Sequence, residues 1–204
     1  MKLGNAPQSW EWSPNPRDYH PELWGAYVAA LPRLSPEGRE RLMRIARGEA
    51  DPDPVDWLWA AGAMHAPFNR RERVVPAEDR LWMGKDRATS LEWHLRKRQR
   101  EGDLAPGVGP DDYERLCREV ALNPGAALFA YTRVQGPVLA ALVPTEWAVP
   151  EEWRGPKIGR YWLVVYSFWS GTLVTGYSVQ DLSDLNMPWR EVRWLRVPPH
   201  FSPP

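Results

Sequence analysis

The segment TSLEWHLRKRQREGD, residues 89–103, holds one histidine, His94, followed by Arg96, Lys97, Arg98 and Arg100. An imidazole among fixed cations suits phosphoryl chemistry. An RNA phosphodiester is cleaved without metal when its own 2′-oxygen loses a proton and attacks phosphorus. Such a site asks for an acid/base group titrating near neutrality and for cations around the phosphoryl oxygens. At about 100° per residue, Leu91 and Leu95 point toward a core and Arg98 extends their stripe. His94 then lies at the margin of the buried face, beside Leu91 and Arg98, while Arg96, Lys97 and Arg100 lean outward. Two plainer readings compete: a surface histidine on a basic face, or a half-buried one bonded to a backbone carbonyl.

Other catalytic signatures are missing from the sequence. It has no Gly-rich phosphate loop ending in Lys-Ser/Thr, no fingerprint of three spaced glycines and no G-x-S-x-G elbow. His20, His65, His94 and His200 are scattered, and none stands four residues from another; neither a metal nor a cofactor is therefore expected. The acids of DPDP, residues 51–54, precede prolines at a helix start, where capping accounts for them. The single cysteine, Cys117, rules out an internal disulfide and falls on an amphipathic helix, as a buried thiol would.

Composition narrows the partners. Twenty-six basic residues balance 26 acidic ones, so any polyanion site is a local patch rather than a global field. The N-terminal residues show no apolar signal core and no run approaches a membrane span, which gives a cytoplasmic expectation with no membrane partner. Of the 26 basic residues 22 are Arg, and there are 13 Trp and 22 Pro. Arg stacks on aromatic rings and pairs in bidentate fashion, which serves RNA binding. The same bias also suits a GC-rich genome or a heat-adapted source.

The elements that must position His94 can be read from local signals. Residues 1–20 form a Pro/Trp-rich arm that cannot be helical throughout. Helices are expected from Pro21, from Ser35-Pro36 to Gly48, and from Asp53 to His65. Residues 66–85 read as a connector, with an internal boundary near 85 that divides 1–85 from 86–204. Thr89 and Glu92 form a capping-box pair for a helix over 90–101 that Gly102 ends. A second helix carries Tyr113, Leu116, Cys117 and Val120 at i, i+3, i+4, i+7 spacing. Strands follow in AALFAYTRV, VLAALVP, YWLVVYSFW and TLVTGYSV, the last two joined at Ser170-Gly171, and REVRWLRV reads as an edge strand. Tyr161 to Trp169 is apolar on both faces, as a covered central strand would be. The fold class is α+β: N-terminal helices, then two helices and a four- to five-stranded antiparallel sheet.

This order of elements resembles the toxin-type ribonucleases of the barnase, EndoU, colicin and RelE-like fold over about residues 86–180. The similarity lies in SLEWHLRKRQREGD, GPDDYERLCREV and the hairpin GRYWLVVYSFWSGTLVTGYSV. It implies a metal-independent endoribonuclease in which His94 is the general acid or base, and Lys97 and Arg98, with Arg96 nearby, hold the phosphate. Thr175 would orient the ribose or phosphate, and Tyr177 would stack on a base or donate a proton. An immunity protein or antitoxin is an implied partner beside RNA. The family pattern carries a second His four residues after the first, followed by Gly; here Arg98 and Gln99 stand there, which removes one acid/base partner. Two other readings stand beside this one. The aromatic and Arg content also fits a non-catalytic phage or mobile-element protein that docks on a nucleic-acid machine or partner protein. It fits equally a structural protein in which the aromatics pack a core.

Overall fold

The computed structural model describes residues 36–51, 56, 60, 64, 66–123, 125–133, 136–168, 172–185, 192–198 and 201. The Pro/Trp-rich arm, the helix from Pro21, Ser35, His20, His65, His200 and the Ser170-Gly171 turn lie outside those residues, as does most of the helix from Asp53. In chain order the described elements begin with α1 (Pro36–Ala46), β1 (Ala66–Phe68), β2 (Arg73–Val74), α2 (Ala77–Met83) and β3 (Arg87–Ala88). They continue with α3 (Ser90–Glu101), α4 (Pro110–Leu122), β4 (Ala127–Arg133), β5 (Gly136–Pro144) and α5 (Thr145–Ala148). Strands β6 (Tyr161–Ser167), β7 (Thr172–Val179) and β8 (Arg193–Arg196) complete the order.

The chain is α+β, with one sheet in the order β1-β7-β6-β5-β4-β8 and a separate β2-β3 ribbon. Two expectations are corrected. The segment 66–85 is not a plain connector, because it supplies β1, β2 and α2. β1 runs parallel to β7, so among the described residues the sheet has six strands and is mixed, not purely antiparallel with four or five. A three-residue strand is too short to show an alternating pattern, and its partner lies far along the chain. No helix among the described residues is long and apolar enough to cross a membrane.

The local signals of α3 and α4 are realised. Thr89 Oγ1 accepts the Glu92 backbone N–H, and the Glu92 carboxylate accepts that of Thr89. Gly102 ends α3 at φ 86°, a conformation that glycine adopts without strain. On α4, Tyr113, Leu116, Cys117 and Val120 are all buried. They join Leu91 and Leu95 of α3, Leu42 and Ile45 of α1, and Trp162, Val164 and Tyr166 of β6 in one core on the helix side of the sheet. The opposite face buries Leu163 and Val165 of β6 with Phe129, Ala140, Leu182, Val192 and Phe201. Double coverage explains the continuous apolar run of β6. α1 packs on β4 and β5, so residues before and after 85 share one core.

What places α3 and α4 is the incomplete edge of β7. β1 covers only its start, pairing Ala66 with Thr172 and Phe68 with Leu173. Farther along, the Tyr113 hydroxyl donates to the Gly176 carbonyl at 2.7 Å and accepts the Gly176 N–H at 2.9 Å. The Ser178 N–H goes to Asp103 Oδ2 at 3.3 Å, and its hydroxyl donates to Asp103 Oδ1 at 2.8 Å. Helix-borne groups thus replace the missing strand and satisfy backbone that burial would otherwise penalise. Gly176 permits the approach, since a Cβ there would stand 2.4 Å from Cys117 Sγ.

Tyr113→Phe keeps the ring stacked on Phe68 but leaves both Gly176 groups unpaired. Urea denaturation is expected to show a loss of about 1–3 kcal/mol. A loss under about 0.5 kcal/mol would mean that the hydroxyl does not complete this edge.

Candidate functional site

Helix α3 lies along the part of β7 that β1 leaves open, and its stripe sets the site. Leu91 and Leu95 anchor it in the core, and Arg98, on the same stripe, is only 7% exposed. A buried guanidinium needs partners. Arg98 Nη1 donates to Asp103 Oδ2 at 3.2 Å and pairs with Glu101 Oε2 at 2.9 Å. Its guanidinium carbon also sits 5.4 Å from the centre of the Tyr177 ring, within cation–π range. Asp103 therefore serves two masters, the β7 backbone at Ser178 and the Arg98 side chain.

His94 sits one turn before Arg98. Its ring meets Trp93 edge-on at 4.6 Å and lies 6.0 Å from Phe68 of β1, which in turn stacks on Tyr113. Nδ1 is buried with no hydrogen-bond partner among the described residues. Burial, then the charges of Arg98, Lys97 and Arg133, hold the imidazole down to about 3. The ring is consequently neutral at physiological pH, not poised near neutrality as phosphoryl chemistry at this residue was expected to require. Both causes act in one direction: removal from water and neighbouring cations each disfavour imidazolium.

Arg133, the exposed last residue of β4, is the member that reading α3 alone misses. Its charge reaches His94, Tyr131 and Tyr177 from a strand separated from β7 by two others. It makes no ion pair among the described residues. Burial raises both phenols above the usual tyrosine range, and Tyr177 adds to the rise at Tyr131. Both are therefore protonated hydroxyls near neutral pH.

Arg98 links the two parts of the expected site: it lies one turn from His94 on α3 and over the Tyr177 ring, while Tyr177 and Tyr131 pack with the core on the opposite face of the sheet. Arg96 is not part of this link and faces a different groove beside Lys85 and Gln99. Lys97 Nζ lies 5.1 Å over the Trp93 ring and 3.9 Å from Glu101. Thr175 is buried beside the Tyr113 hydroxyl, where it serves the β7 edge. Tyr131 and Arg133 share a face by strand alternation. On that face Tyr131 packs away from the helices, and nothing local in the sequence says that the charge of Arg133 acts on His94. Asp103, which reads as a turn residue after Gly102, carries no signal of its double role.

No family model, curated protein or solved structure matches the chain.

The depressed His94 makes a signed prediction about stability. Its folded value lies below the ordinary 6.5, so the unfolded chain takes up a proton first as pH falls. Its stabilising contribution is complete above 6.5 and is lost as pH drops from there toward about 3. The slope is at most about 1.4 kcal/mol per pH unit from this residue. His94→Leu is expected to flatten the acid limb by that amount when urea denaturation is compared at pH 7, 5 and 4. An unchanged limb would place the imidazole in contact with water.

Proposed function

We propose that the chain is a metal-independent endoribonuclease of the toxin type, acting on RNA through His94, Arg133 and Tyr177. The observation that supports this reading most is that Arg98 and Arg133 act electrostatically on both the His94 imidazole and the Tyr177 phenol, with the Arg98 guanidinium 5.4 Å from the Tyr177 ring. In the proposed reaction Arg133 and Lys97 hold the phosphoryl oxygens. His94, uncharged, accepts the proton of the 2′-hydroxyl, whose oxygen forms a bond to phosphorus. The bond from phosphorus to the 5′-oxygen breaks, and Tyr177 gives its proton to that leaving oxygen. The products are a 2′,3′-cyclic phosphate and a 5′-hydroxyl, with His94 and Tyr177 reset by proton exchange with water. Arg98, committed to Asp103 and Glu101, positions Tyr177 and adds to the local field instead of gripping phosphate itself. On this reading a neutralising protein, an immunity protein or antitoxin, covers the same residues.

A second reading is RNA or protein docking without cleavage, as a phage or mobile-element factor on a nucleic-acid machine would do. Two observations favour it: the neutralisation of Arg98 by two carboxylates, and the weak basicity of His94.

One assay separates the two. Purified protein is mixed with end-labelled single-stranded RNA in EDTA, and binding is followed in parallel. Cleavage with cyclic phosphate ends is expected, and His94→Ala, Tyr177→Phe and Arg133→Ala are each expected to lower the rate about 100-fold or more. Binding with no cleavage would replace the first reading by the second. Cleavage that survives His94→Ala would remove the imidazole from the reaction.

A further inference from the structure

A cavity of about 450 Å³ opens between the β2-β3 ribbon and the first turns of α3. Val74 and Pro76 supply apolar surface on the ribbon side, Trp93 lines it from α3, and Arg73, Ser90 and His94 contribute polar groups. Val74, 60% exposed, presents its aliphatic side chain at the rim of this cavity.

Trp93 is fixed before any ligand arrives. Its Nε1 donates to Asp79 Oδ2 at 3.0 Å, while Trp82 Nε1 donates to Asp79 Oδ1 at the same distance. One carboxylate on α2 thus orients both indoles, and a pre-ordered aromatic wall loses little freedom on binding. Among the described residues His94 Nδ1 is buried without a hydrogen-bond partner, while Arg73 is exposed and Ser90 half-buried. An apolar cavity with a few polar groups is the ordinary form of a small-ligand subsite.

The choice of ligand follows from continuity. His94 lines this cavity, and the charges of Arg98, Lys97 and Arg133 act on its ring. A ligand reaching both cavity and cations needs a flat apolar body with polar edges on one side of the imidazole and an anion on the other. We infer that the cavity is a nucleobase subsite, receiving the base of a nucleotide whose phosphate lies at Arg133. This inference rests on the ribonuclease reading for the identity of the chain that carries the base. Single-stranded RNA presents such bases, turned out and stacked on aromatic side chains.

Calorimetric titration of the four ribonucleoside 3′-monophosphates, ribose 5-phosphate and inorganic phosphate tests it. At least one nucleotide is expected to bind roughly 10-fold or more tightly than ribose 5-phosphate, the gain ordinarily given by one stacked base. Trp93→Leu should abolish that difference, but it also removes a bond to Asp79 and weakens the small core around it. Val74→Asn is the cleaner variant, because its side chain already faces solvent, and it should bring nucleotides down to the level of ribose 5-phosphate without changing phosphate affinity. Equal affinity for nucleotides and ribose 5-phosphate in the wild type overturns the inference, as does a nucleotide preference that survives Val74→Asn. Base-dependent, Val74-sensitive binding without RNA cleavage would sustain the subsite and remove the nuclease reading. Cleavage without base-dependent binding would do the reverse.

Discussion

The arrangement of this molecule depends on finishing one strand edge. β7 is covered by β1 over its first residues only, and the rest would present unpaired backbone beside an apolar core. Tyr113 of α4 and Asp103, just past the end of α3, take that backbone at Gly176 and Ser178. Each bond is modest in net worth, about 1 kcal/mol, but leaving its partner buried and unpaired costs more. The constraint therefore holds the two helices in register with the strand more firmly than apolar packing, which is non-directional, would do alone. Glu114 extends the same logic to β1, accepting the Phe68 N–H at 2.8 Å and pairing with Arg70. Phe68, so placed, forms one side of the His94 environment.

The electrostatics of the site follow from that edge. Asp103 must face β7, so Arg98, one turn back along α3, finds its carboxylate there and turns its flat group over Tyr177. Its charge is thereby satisfied locally, whereas that of Arg133 is not matched by any carboxylate among the described residues. Of the cations around His94, the one the α3 sequence does not contain is the one best able to take an external anion.

How far all this can be read in the sequence varies by residue. Helix α3 is legible to its ends because the signals are local: Thr89 and Glu92 close a capping box, and Gly102 takes a left-handed conformation. The inward row of α4 is legible from spacing, and the central position of β6 from its unbroken apolar run. β1 is not, since three residues define no period and the parallel pairing joins distant segments. The cluster around His94 was half visible. Lys97 and Arg98 sit within a turn of it, but Arg133 acts from β4, three places along the sheet from β7, and no local pattern encodes that. The protonation of His94 was hidden for a related reason. Counting nearby cations suggests a phosphate site, while the burial contributed by Phe68 comes from a strand far earlier in the chain.

A neutral histidine among cations is not simply a weakened base. The largest cause of its low proton affinity is burial, and the rest is repulsion from Arg98, Lys97 and Arg133. Burial stays when an anion enters, but the repulsion is offset by the charge that arrives. An anion at Arg133 thus raises the proton affinity of the imidazole, and by linkage a proton on the imidazole raises the affinity for the anion to the same degree. The ring is therefore less basic without an anion beside these cations than with one. On the proposed ribonuclease reading, that coupling would place proton acceptance after binding, and the unliganded ring would be the wrong state from which to judge its chemistry.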